Sequence, residues 1–365
     1  MQVNREKLLH ALECCKAGLS PRDVIQQSSS FVFKDGYIVT FNEETATKFK
    51  SPLDITGAVP SDPLLGILSK IDDETVEITM AKKQLLIKSR RGRTKITMEE
   101  EVLLPLEHLE KPGKWQPLSE EFAKAVKSVQ SCASRDDAKY KLTCIHIHPE
   151  WIEAFDEFQL ARYTFTTGVQ TPILVKQLAL QNIVPLGMTE FSETDTFLHF
   201  RNPQKLILSC RRDAGSTFPS LDHIIKNAKG TPIKLPAGLI EVSEKCEVFS
   251  RNNTKEENQV RIDLKPGKCY MTGEGPFGEH TEPRDVPEYK GEPLSFMISP
   301  DLLRELVTKY KNTCQVTEKS LRAGDKKGKF VYVTSLNETR DDDEVEEKST
   351  KKKSKTKKKK TKKAA

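Results

Sequence analysis

Apolar and polar positions alternate along this chain with two different periods, and the order of those periods repeats. Stretches with apolar residues every three or four positions begin near Asn4 (NREKLLHALECC), Ser119 (SEEFAKAVKSVQSC) and Ala237 (AGLIEVSEKCEVF). A second set begins near Val59 (VPSDPLLGILSKI), Val175 (VKQLALQNIVPL) and Ile298 (ISPDLLRELVTKY). Each set recurs after about 115 to 120 residues and the two sets are offset by about 55 to 60, which predicts three units, each doubled internally.

The helices follow from period and capping chemistry. In the stretch from Ser119, Phe122, Val126 and Val129 share one face, while Lys124, Lys127 and Ser131 fall on the other. Ser119 is placed as an N-cap, and Ser61 before Pro63 and Ser299 before Pro300 likewise read as capping side chains ahead of a proline in the first turn. Period-2 runs follow the second-set helices: VEITM, KQLLIKS and TKITM, then TFLHFR and KLILSC, then CQVTEK and KFVYVT. These read as half-buried antiparallel strands, with Lys34-Asp35-Gly36 and Pro266-Gly267 as turns. The expected class is α+β: three repeated domains over residues 1–115, 116–235 and 236–336, each with two helices on antiparallel sheets, and a tail over 337–365.

Charge separates that tail from the body. Residues 348–365 hold 11 of the 59 basic residues and no acid, leaving 48 basic against 53 acidic side chains over residues 1–347. The body is mildly acidic; the tail is an acidic block from Asp341 to Glu347 and then a lysine block, too charged and too poor in apolar residues to fold. It reads as a nonspecific polyanion binder, with a nuclear-import signal as the sharper alternative. No apolar run reaches 18 residues and the N-terminus lacks a signal-peptide core, so a soluble intracellular protein is expected, with no membrane partner. The eight cysteines form no C-x-x-C pair and read as reduced thiols.

Catalytic chemistry finds little footing. Gly273-Glu274-Gly275-Pro276-Phe277-Gly278 fits G-x-G-x-x-G, but Pro283 and Pro287 follow where a dinucleotide site needs a helix to begin. His146 and His148 alternate along a strand with Glu150 as a third donor, the basis of an alternative reading as a metal-dependent hydrolase. No G-x-S-x-G, H-E-x-x-H or P-loop pattern occurs. A non-enzymatic protein without cofactor or metal is expected.

In order and spacing, the segments AVPSDPLLGILSKIDDETVEITMAKKQLLIKSRRGRTKITM, FDEFQLARYTF, TFPSLDHII, VRIDLKPGKCYMTG and PLSFMISPDLLRELV resemble the bacterial and phage DNA polymerase sliding clamp, the beta subunit of the replicase. The resemblance spans about residues 1 to 336. It implies a homodimeric head-to-tail ring of twelve inward helices around duplex DNA, held without sequence specificity, with a DNA polymerase and a clamp loader as partners. Twelve helices at about 10 Å spacing make a circle of axes about 38 Å wide. Subtracting one helix diameter leaves a hole of about 28 Å, wide enough for a B-form duplex about 20 Å across. An adaptor ring outside the main replicase is the alternative within this class. Location follows the family, in the cytoplasm at a bacterial nucleoid or in a phage-infected cell, or in the nucleus if the tail is an import signal.

The resemblance also implies site residues. The family's D-G-H-R-L pocket segment falls on Asp156 to Leu160, its F-P-D-Y-R-R-V on Phe218 to Ile224, and its terminal V-V-M-P-M on Tyr332 to Leu336. Only part of each pattern is kept, so the peptide preference differs. The pocket candidates are Phe158, Leu160, Pro219, Ile224, Tyr332 and Val333. DNA-facing candidates on or beside polar helix faces are Arg22, Lys70, Lys124, Lys127, Lys176, Arg251 and Lys311. The subunit interface is expected where strands near Ile96 meet strands near Ile262 of a second copy.

Overall fold

The computed structural model describes residues 1–227, 230–250, 258–310, 313–317, 319–325 and 328–336. The expectations placed on Arg251, on Lys311 and on the tail over 337–365 lie outside them. By Cα proximity the chain divides into Met1–Ser220 and a second unit from Leu221 onward.

One motif, a strand, a helix and three more strands, occurs six times. It first runs β1 (Gln2–Asn4), α1 (Arg5–Cys14), β2 (Ser30–Lys34), β3 (Tyr37–Phe41) and β4 (Thr45–Lys50). Its second copy is β5 (Gly57–Pro60), α2 (Ser61–Leu68), β6 (Thr75–Ala81), β7 (Gln84–Lys88) and β8 (Arg93–Thr97). The third is β9 (Gln116–Pro117), α3 (Glu120–Val129), a one-turn α4 (Tyr140–Thr143), β10 (Cys144–His148), β11 (Trp151–Phe155) and β12 (Gln159–Thr164). The fourth is β13 (Ile173–Lys176), α5 (Gln177–Leu180), β14 (Glu190–Glu193), β15 (Phe197–Arg201) and β16 (Ile207–Asp213).

In the second unit, a short α6 (Asp222–Asn227) precedes β17 (Thr231–Lys234), α7 (Leu239–Ser250), β18 (Val260–Lys265), β19 (Gly267–Gly275) and β20 (Gly278–Val286). The last copy is β21 (Leu294–Ile298), α8 (Pro300–Tyr310), β22 (Thr313–Val316), β23 (Ser320–Gly324) and β24 (Phe330–Ser335). Because β17 pairs with β22, the third repeat starts at Thr231, ahead of the expected boundary at residue 236.

Paired motifs exchange first strands. Thus β1 joins β6 and β5 joins β2, β9 joins β14 and β13 joins β10, β17 joins β22 and β21 joins β18. In the first unit β4 then pairs with β16, antiparallel from Ile207 opposite Lys48 to Cys210 opposite Thr45, so the first repeat's sheet continues into the second's. Phe41 and Phe197 meet across this seam with ring centres 6.3 Å apart, in a core that also holds Val32, Ala46, Ala58 and Leu104.

Local chemistry explains the elements. The Asn4 side chain accepts from the Lys7 amide at 2.9 Å, and Ser119 accepts from Glu121 at 3.3 Å, each capping its helix. α3 buries Phe122, Ala125, Val126 and Val129 and leaves Lys124 and Lys127 exposed. Ser61 is the first residue of α2, and Pro60 occupies the cap without a side-chain bond, which corrects the Ser61 cap. The helix expected from Val175 is shorter too. Val175 and Lys176 finish β13, α5 makes one turn, and the Asn182 amide bonds the Leu178 and Ala179 carbonyls just before Pro185. All eight cysteines are free and buried.

Candidate functional site

The helices of the first and third repeats pack in pairs, α1 beside α2 and α7 beside α8, and their outer faces are of mixed charge. α1 exposes Glu6 and Glu13 beside Lys7, α3 exposes Glu120 beside Lys124 and Lys127, and α7 exposes Glu241 and Glu244 beside Lys245. Of the DNA-facing candidates, Lys124, Lys127 and Lys70 are exposed on or just beyond helices, and Arg22 is exposed in the loop between α1 and β2. Lys176 is a correction: its ammonium lies 3.2 Å from Asp137 and 5.6 Å from the Tyr140 ring centre, and its side chain is 20% exposed. It is held by an acid and an aromatic face.

On the first unit, the turn between β11 and β12 is built to present Phe158. The Asp156 carboxylate accepts from the Phe158 and Gln159 amides at 3.0 and 2.8 Å, and Gln159 ties it to the Ser131 carbonyl. Burial of Asp156 raises its carboxyl above the usual range, against the pull of those bonds. Glu157 takes a left-handed φ of 81° and pairs with Lys139, leaving Phe158 46% exposed two residues before the buried Leu160. Pro219 is exposed and follows Phe218, whose ring stacks on His146 with centres 4.9 Å apart.

Of the remaining pocket candidates, all in the second unit, Ile224 is half-buried, whereas Tyr332 and Val333 are 1% and 3% exposed. Tyr332, Val333 and Leu160 are therefore buried, and the solvent-facing apolar groups of the set are Phe158 and Pro219, with Ile224 partly so.

The metal reading is overturned. His146 Nδ1 lies 2.7 Å from Glu153, which also takes Arg162 at 2.7 Å and the Trp151 indole N–H at 3.1 Å. His148 stacks on Trp151 with centres 3.5 Å apart and accepts from the Glu150 amide; burial, then the nearby His146, lowers its pKa. Among the described residues no three His, Cys, Asp or Glu side chains converge to hold a metal ion. The glycine motif is likewise structural. A Cβ on Gly273 would sit 2.1 Å from the Cys246 carbonyl oxygen, and one on Gly275 1.9 Å from that of Phe249, so α7 lies directly on β19.

Two sheets end on strands whose positions matter. β8 is the outer strand of the sheet β1-β6-β7-β8, and β20 the outer strand of β21-β18-β19-β20. Ile96, 5% exposed, lies on β8 as expected; Ile262 does not lie on a free edge, because β18 is paired on both sides by β19 and β21. The candidate strand is β20, which the sequence hides because its polar run with Pro283 lacks strand periodicity. The outward residues of β8 are Arg93, Lys95 and Thr97, and those of β20 include Glu279 and Asp285. Asp285 is paired with Lys268 of β19 at 2.6 Å, so the difference in sign between the two edges rests on Glu279 against Arg93 and Lys95. On the opposite face of β20, hydrogen bonds from Lys245 and Arg284 hold the Glu282 carboxyl down at about 2.

No family model and no curated protein matches the chain. Solved structures do. The DNA polymerase III beta subunit of Thermotoga maritima superimposes with a TM-score of 0.76 at 15% identity, over 93% of this chain and 99% of that one. Its fold is that of the DNA polymerase III beta subunit. The beta chain from Streptococcus pneumoniae gives a TM-score of 0.77 at 16% identity over 93% and 99% of the two chains. The DnaN sliding clamp from Bartonella birtlesii, solved with griselimycin, gives 0.80 at 14% identity over the same shares. At such identity the clamp fold sets the element order, while the surface chemistry is this chain's own. No helix among the described residues is long and apolar enough to cross a membrane.

Proposed function

We infer that the protein is a non-catalytic DNA sliding clamp: two copies of three domains each close head to tail around duplex DNA and hold a DNA polymerase, loaded by a clamp loader. The observation that carries this is the recurrence at the sheet edges. In the first unit, the last strand of one repeat's first half, β4, is continued by the last strand of the next repeat's second half, β16. The equivalents left at the two ends of the series are β20 and β8, the outer strands of their sheets. A second copy supplies both partners at once, and a heterologous interface of that kind forms a ring when its rotation closes. The opposite charge of the two edges supports the pairing and disfavours joining like to like.

The mixed charge of the helix faces suits a sliding surface. Lys70, Lys124 and Lys127 attract phosphates without base readout, and the neighbouring acids keep the contact weak. Phe158 and Pro219 form the part of the partner-peptide site on the first unit, as an exposed ring on a rigid turn. The lysine-rich tail acts as a nonspecific DNA tether. Sedimentation equilibrium tests the assembly: a mass of twice 41.3 kDa at micromolar concentration is expected, and a monomer or trimer contradicts it.

A further inference from the structure

We propose that the tip of the β19–β20 hairpin is an apolar latch that anchors one copy of the chain on the next, with Phe277 as its anchor. The proposal rests on the ring reading and specifies the register and the residues of its interface.

The internal repeat fixes the register. The β2–β3 and β18–β19 hairpins close on equivalent pairs, Lys34 opposite Tyr37 and Lys265 opposite Lys268. Counting from them, Phe41 corresponds to Thr272, so their hairpin partners, Ala46 and Thr281, correspond as well. On the other side, Arg201 opposite Ile207 matches Lys88 opposite Arg93. Carrying the β4–β16 pairing onto β20 and β8 therefore sets Arg93 opposite Pro283, Lys95 opposite Thr281 and Ile96 opposite His280.

Side-chain direction, which was not used to obtain this register, agrees with it. His280 stacks on Phe249 of α7 and Glu282 bonds Lys245 of α7, so both face the helix layer, as buried Ile96 does in β8. Thr281 and Pro283 are exposed, as Arg93 and Lys95 are. A slip by one residue would set every side chain against the wrong face. In this register Lys95 is diagonal to Glu279 and Arg93 diagonal to Asp285, a distance that long side chains span.

The hairpin then overshoots. The β3–β4 turn closes just beyond Phe41 and Ala46, whereas β19 and β20 stay paired past Thr272 and Thr281 to Gly275 and Gly278. That extension carries Pro276 and Phe277 at its tip, and Phe277 is 97% exposed, the most exposed large apolar residue among the described residues. Continued along β8, the register brings the tip to Glu99 of the second copy. There Glu99 bridges Ala58, next to the β5–α2 corner with its exposed Pro60 and Pro63. A ring on these prolines closes the end of each seam.

The dimer dissociation constant by analytical ultracentrifugation tests this, with wild type, Phe277→Ser, Lys95→Glu, Glu279→Lys and the double variant Lys95→Glu/Glu279→Lys. Thermal unfolding confirms that each is folded. Phe277→Ser is expected to weaken the dimer about tenfold per interface, about a hundredfold for a ring with two. Each charge reversal weakens it and the double variant restores it, since every interface then holds both reversed residues. A wild-type dimer whose dissociation constant is unchanged by Phe277→Ser overturns the latch while the ring stands. Failure of the double variant to recover overturns the register, and a wild type that stays monomeric overturns both.

Discussion

Ile207 in β16 pairs with Lys48 in β4, and through that register the sheet of one repeat becomes the sheet of the next. The same relation, applied where the series of repeats ends, is the reason to expect a closed ring. It also turns sheet edges that would otherwise invite aggregation into an assembly surface.

Gly273→Ala should destabilise the fold without touching any ligand site. The added methyl would meet the Cys246 carbonyl at 2.1 Å, backbone that cannot move aside without displacing α7. Overpacking of this kind costs about 1 to 3 kcal/mol, a fall of several degrees in melting temperature. An unchanged melting temperature would mean that α7 does not lie on β19 as described.

Stability should fall on acidification in part through His199. Its ring is buried between Thr194 and Ser209, at 3.1 and 2.7 Å, and burial lowers its pKa to about 4. The unfolded chain takes up that proton near pH 6.5 and the folded chain only near 4. The contribution is therefore complete above 6.5 and is lost as pH falls toward 4, at most about 3 kcal/mol. Denaturant titrations across that window should show a shallower pH slope for His199→Gln than for wild type; parallel slopes would assign the acid sensitivity to other groups.

Much of this architecture was legible in the sequence and some of it was not, for physical reasons. Helices with a strong apolar stripe, such as α3 with Phe122, Val126 and Val129, announced themselves. The one-turn α5 did not, because Leu178 and Val184 continue an apolar pattern although their side chains are 62% and 44% exposed. Strand β20 was missed because its residues, GEHTEPRDV, are polar on both faces; its helix-side positions are satisfied by ion pairs such as Glu282 with Lys245. At Tyr332 and Leu160 the sequence leaves the depth of the side chain open, since burial in a core and burial beneath a binding surface leave the same apolar signature; both are buried.

Phe158→Ser should weaken binding of a polymerase-derived peptide strongly and leave the fold intact. The ring is held out by the Asp156 turn, and loss of an exposed aromatic anchor typically costs 2 kcal/mol or more of binding, about thirtyfold or greater. Fluorescence anisotropy with a labelled peptide measures it. Equal affinity in the variant would move the docking site away from this turn.

Truncation after Leu336 should lower DNA affinity at low salt and flatten its salt dependence without changing the oligomeric state. The 11 lysines removed each displace counterions from phosphate when bound, so the slope of log affinity against log salt should shrink. Identical slopes for truncated and full chains would assign the tail another role, nuclear import first.

The central claim is tested most directly by topology. Protein diluted to separate its subunits and reconcentrated with nicked circular plasmid should co-elute with the circle in gel filtration at a salt concentration that suppresses phosphate contacts. Cutting the plasmid once should then release it, because a ring leaves only through a free end. Equal retention on circular and linear DNA, or none on either, would contradict a clamp that encircles its duplex.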